Sequence, residues 1–104
     1  MKLNVQERLT LLQVLQAHVG NFVTLGIITD LTSRLVLTDK EFKEFGIVQE
    51  GTQVTWNEQG TKGREIEISE VMNGIIVGDL TRMDRENRLE QRHYTLYQKF
   101  VEKK

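Results

Sequence analysis

The apolar positions of this chain keep one period for nearly its first half and then switch to another. From the amino end, Val5, Leu9, Leu12 and Leu15 recur at helical spacing, with Val14 beside them. Asn4, followed three residues later by Glu7, forms a capping pair that opens this helix, and the pattern carries it to about Ala17. His18-Val19-Gly20-Asn21 reads as a turn. Leu25, Ile28, Leu31 and Leu35 mark a second helix with Thr24 as its cap, although its β-branched residues lower its intrinsic propensity. Thr38-Asp39-Lys40-Glu41 is a second capping box. It opens a short third helix carrying Phe42 and Phe45, which Gly46 should stop.

Beyond Ile47 and Val48 the pattern alternates. Val54 and Trp56 point one way with Thr55 opposed, and Ile66 and Ile68 oppose Glu65 and Glu67. Each segment reads as a strand with one buried face, and together they predict a β-hairpin. The polar stretch Asn57 to Arg64 would be its tip. Helical spacing then returns. Ser69 caps a fourth helix whose stripe is Val71, Met72, Ile75, Ile76, Leu80 and Met83, with Gly74 and Gly78 inside it. Asp84 to Arg88 reads as a polar break or a loosened last turn. A fifth helix carries Leu89, His93, Leu96, Tyr97, Phe100 and Val101, and frays over residues 102–104.

The expected fold class is therefore α+β, mostly helical and winged-helix-like: three helices, a β-hairpin and two C-terminal helices. The expected organisation is a single domain over 1–104, made of a three-helix segment (1–46), the hairpin (47–68) and the C-terminal helices (69–104). A chain of 104 residues buries roughly two-thirds of its unfolded surface, enough for one core without staples. No stretch approaches the ~18 apolar residues of a membrane span, and the amino end has no signal-type apolar run. Cytoplasmic residence is the expectation, with no membrane partner.

Composition removes much chemistry. The chain has no cysteine, which excludes disulfides, thiolate metal sites and cysteine nucleophiles. His18 and His93 are far apart, with no zinc spacing around them; they read as a turn residue and a polar-face helix residue. Ser69 is explained as a cap, and neither it nor Ser33 has a nucleophile-elbow context. Glu65 and Glu67 share a strand face, and that face reads as solvated. Gly60-Thr61-Lys62-Gly63 lacks P-loop spacing. These readings point to no catalytic, metal or cofactor site, and so to a protein that is not an enzyme.

Net charge is −1, which gives no global attraction to nucleic acid. Its distribution is uneven. Met1–Thr81 carries seven Lys or Arg against eleven Asp or Glu, whereas Arg82–Lys104 carries seven against four. Two basic groups emerge as candidate binding residues. Lys40 and Lys43 on the third helix, with Lys62 and Arg64 at the expected wing tip, would touch phosphates in a winged helix. Against this, Asp39, Glu41 and Glu44 share that helix. Arg82, Arg85, Arg88 and Arg92 would form a stripe along one side of a continuous helix, with Arg82–Glu86 and Asp84–Arg88 pairs as the plain alternative. Gly74-Ile75-Ile76-Val77-Gly78 would let another backbone approach closely. Trp56 reads as core, packed opposite Ile66 or Ile68.

At Gly20–Leu25, at Lys43–Gly51 and at Val54–Asn57 the chain resembles small proteins of bacterial phages and prophages. The resemblance covers much of the chain in overall texture and carries no functional motif. It implies an accessory binder acting on host proteins or in particle assembly. The expectation is a non-enzymatic accessory or regulatory module with a protein partner and no cofactor. A winged-helix nucleic-acid binder is the second expectation, and an oligomeric assembly protein the third.

Overall fold

Caps written in the sequence start every long helix of the computed structural model, which describes residues 1–102. The strand β1 (Lys2–Leu3) leads into α1 (Val5–Gln16), where the Asn4 side chain accepts from the Glu7 amide at 2.8 Å. Glu7 reciprocates by accepting from the Asn4 amide at 3.0 Å. The second helix, α2 (Phe22–Leu35), is capped by Asn21 and not by Thr24; the Thr24 amide donates to Asn21 Oδ1 at 2.9 Å. Thr38 and Glu41 form the expected capping box on α3 (Asp39–Phe45). Gly46 ends that helix at φ +58°, a left-handed position where a Cβ would be strained.

The strand pairing differs from the expected hairpin. Strand β2 (Val48–Glu50) pairs antiparallel with β3 (Gln53–Thr55) across the two-residue loop Gly51-Thr52, in the register Val48↔Thr55. Gly51, at φ +61°, takes the first central position of this tight turn. The residues of β2 are all exposed, so no alternation marks them as a strand. A 3₁₀ turn follows at Glu58–Thr61. Strand β4 (Arg64–Glu65) then pairs with β1 at the amino end, in the register Leu3↔Arg64. Gly63 permits this pairing, because a Cβ there would meet Lys2 Cβ at 2.9 Å. The Met1 ammonium donates to Glu65 at 2.6 Å and holds that carboxyl below its ordinary range.

Ser69 caps α4 (Glu70–Arg85), and a 3₁₀ turn at Gln91–His93 leads into α5 (Tyr94–Phe100). The expected behaviour at 103–104 lies outside the described residues. The helices and the β2–β3 hairpin follow the expected order in a mostly helical α+β arrangement, to which the β1–β4 pair is an unexpected addition. One apolar cluster gathers Leu11, Leu31, Leu35, Ile76, Leu80 and Leu96, each fully buried. A smaller one between α1 and α3 holds Val5, Leu37 and Phe45, with Trp56 packed on it. Trp56 thus contributes to packing, but beside Phe45 and not opposite Ile66 or Ile68.

Three expectations about burial fail. Leu25, Phe42 and Val71 lie on expected stripes yet are exposed, because the core turns a different side of each helix inward. Gly74 and Gly78 face open space: a methyl group at either would meet nothing within 4 Å, so among the described residues no backbone approaches them. His93 is buried, not on a polar face.

Candidate functional site

The basic residues expected at a wing are not at one. The hairpin of β2 and β3 carries a single charge, Glu50, at the edge of its turn. Lys62 ends the 3₁₀ turn that follows, and Arg64 lies on β4. The Arg64 guanidinium sits 5.0 Å above the Phe45 ring and pairs with Glu44 of α3. Arg64 therefore fastens β4 to α3. Lys40 and Lys43 are exposed on α3, and with Lys62 they form no ion pair among the described residues.

The arginine series is not one helical stripe. Helix α4 ends at Arg85, and Asn87 takes φ +57°. The Asn87 amide donates to Asp84 O at 3.1 Å and the Arg88 amide to Met83 O at 2.7 Å. This pair of hydrogen bonds around a left-handed residue is a Schellman turn, and it reverses the chain after one more residue. Arg82 and Arg85 are left on α4, Arg88 in the turn and Arg92 in the 3₁₀ segment. The i,i+4 pairs expected for a continuous helix do not form. Arg82 approaches Asp79 at 3.5 Å, Arg88 approaches Glu86 at 3.4 Å and Asp84 accepts from Tyr97.

The turn nevertheless gathers three of the four arginines. Arg82, Arg88 and Arg92 line one open groove of about 510 Å³, whose other wall is Gln13 and Val14 of α1 and its C-terminal cap Ala17. Arg85 does not line it. Arg92 is positioned by Glu90 at 2.9 Å and by Gln13 at 2.5 Å. At the groove floor His93 accepts from the Glu90 amide through Nδ1 at 2.9 Å. Burial pushes the His93 imidazole below its ordinary value, with the nearby Arg92 charge adding to the effect.

Beneath the groove rim lies a buried carboxylate that no sequence pattern announces. Asp79 is enclosed, and His18 Nδ1 reaches its two oxygens at 2.8 and 2.9 Å. This bond ties the turn between α1 and α2 to the middle of α4. Both serine hydroxyls are engaged with backbone: Ser69 caps α4 and Ser33 donates to Asp30 O. Among the described residues no three His, Asp or Glu side chains are placed to share a metal ion. No described helix is long and apolar enough to cross a membrane.

The sequence reading also misses an exposed apolar cluster. Val19, Phe22 and Val23 are 87%, 89% and 71% exposed. Asn21 capping holds Phe22 in the first turn of α2, on the side away from Ile28, Leu31 and Leu35. The signal is present: two large apolar residues stand ahead of the stripe, where a solvated first turn would carry polar ones.

Fold and site together define a mostly helical α+β protein with a wing-like hairpin and an arginine-lined groove. No protein-family model, curated protein or solved structure matches the chain, so its function must be read from its own side chains.

Proposed function

We propose that this chain is a non-enzymatic protein-binding module, an accessory or regulatory protein of the phage type its sequence resembles, acting in the cytoplasm of a host cell. The exposed cluster Val19, Phe22 and Val23 carries the reading. A phenylalanine nearly free of contacts at a rigid helix start is costly in water, and such side chains anchor protein interfaces by filling a partner's pocket. The partner surface is accordingly an apolar pocket on another protein. Capture from host lysate with the wild type and with Phe22→Ser/Val23→Ser tests this, with thermal melts checking that both are folded. Specific proteins retained by the wild type and lost by the variant support the proposal. The same proteins retained by both would overturn it.

The unpaired Lys40, Lys43 and Lys62 favour nucleic acid as the second reading. Glu50 at the hairpin turn and Glu44 on α3 oppose a phosphate backbone there. Fluorescence anisotropy with labelled duplex and single strands decides it. Salt-sensitive binding abolished by Lys40→Ala/Lys43→Ala would put this reading first.

A further inference from the structure

A second hollow lies against the arginine groove and has the opposite character. It measures about 390 Å³ and is lined by the carboxylates of Asp84, Glu90 and Glu102 and the rings of Tyr94 and Tyr97. The two hollows share Leu89 and Glu90, which form a ridge between them. On one side of the ridge lie Arg82, Arg88 and Arg92, with Glu90 bound to Arg92, and on the other Asp84, Glu102, Tyr94 and Tyr97.

We infer that this surface is the interface of a two-fold dimer, with a second copy of the chain as its occupant. A two-fold interface must be self-complementary, each patch meeting its counterpart twice. An axis through the Leu89–Glu90 ridge sets each copy's arginine groove against the other's acidic, tyrosine-lined hollow. Arginines then face carboxylates and aromatic rings, both of which attract a guanidinium. Arg and Tyr are enriched at interface centres, whereas carboxylates are depleted there, so Asp84, Glu90 and Glu102 suit such a place only with guanidinium partners across it. Tyr94 is 56% exposed and available to be covered.

Arg82 stays with the buried Asp79, but the ion pairs of Arg88 and Arg92 within one chain do not compete strongly. Arg88 and its partner Glu86 are 62% and 46% exposed, and Glu90, which pairs with Arg92, is 62% exposed. Exposed pairs of this kind contribute little in water, so they exchange readily for pairs across an interface that excludes it.

Sedimentation equilibrium across protein and salt concentrations, on the wild type and on Arg88→Glu and Glu102→Arg, tests the inference. Both positions are exposed, so both variants fold, which circular dichroism checks. The wild type should sediment as a dimer that loosens with salt. Each single reversal sets like charges together twice and should weaken dimerisation by roughly 100-fold or more. An equimolar mixture of the two variants restores attraction at both contacts and should recover a heterodimer. A wild type that stays monomeric at high concentration and low salt would overturn the inference. So would a dimer indifferent to both reversals, including one lost instead in Phe22→Ser, which would place self-association on the apolar cluster.

Discussion

His93 shows how a single side chain passes from a surface reading into the interior. Sequence spacing puts His93 on a polar face, yet it is buried and accepts a backbone hydrogen bond through Nδ1. Only the neutral imidazole can accept that bond, and burial disfavours the charged form as well. Its folded pKa is therefore depressed, and the unfolded chain binds the proton more tightly. The stability it contributes is fully present above its ordinary value of 6.5 and is lost as pH falls through the folded value. Glu41 adds a second loss at lower pH, because hydrogen bonds from the Arg8 guanidinium hold its carboxyl below the ordinary 4.5 against the opposing effect of burial. Urea midpoints measured from pH 7.5 to 3.5 should fall in two stages. The upper stage should vanish in His93→Asn, where nothing titrates.

Helix starts are the most legible elements, because a cap is a contact between residues three apart in sequence. Asn4 with Glu7, Thr38 with Glu41, and Ser69 all act as their local pattern indicates. The cap of α2 lies three residues ahead of the expected Thr24, because two polar residues compete for the position and Asn21 takes it. Strand pairing is not legible, since β2 has no buried face and β4 pairs with residues more than 60 positions away. The glycines of α4 give a test at this scale. In sequence, Gly74 and Gly78 suggest close backbone approach, but a Cβ at either would meet nothing. Gly74→Ala and Gly78→Ala should each therefore stabilise the fold by about 1 kcal/mol through helix propensity alone, seen as higher thermal and urea midpoints. A loss in either would mean that another chain packs on that face.

Across the whole molecule, buried charges join helices that the apolar core alone would leave free to slide. Glu7, Arg8 and Asp79 are each 2% exposed. Arg8 of α1 donates to Leu35 O and Val36 O at the end of α2, each at 3.0 Å, and to Glu41 of α3 at 2.7 Å. One guanidinium thus satisfies orphan carbonyls of one helix and fixes the position of two others. Lys99 of α5 reaches Glu7 at 2.7 Å, and His18 reaches Asp79. Arg8→Ala leaves two carbonyls without a donor and the Glu41 carboxylate with only its Thr38 cap, and should cost roughly 3 kcal/mol in urea unfolding. Arg8→Lys should recover little, because one ammonium cannot reproduce the planar fork across three acceptors. The exposed Lys62→Ala should change stability by less than about 0.5 kcal/mol.

The linear order of residues dictates the local grammar: the order of the helices, the caps of α1, α3 and α4, the stop at Gly46, and a mostly helical α+β class. Each rests on contacts within four residues or on the period of burial, and both are written along the chain. Packing in three dimensions settles the rest: which charged residues are buried, which strands pair, and which arginines meet. Glu7 and Arg8 look like surface residues in sequence, because the carbonyls and the lysine that satisfy them come from α2 and α5. The arginine series is not a stripe because one left-handed residue, Asn87, turns the chain. That same turn brings Arg82, Arg88 and Arg92 to one groove, since convergence in space follows from where the backbone folds back and not from spacing along it.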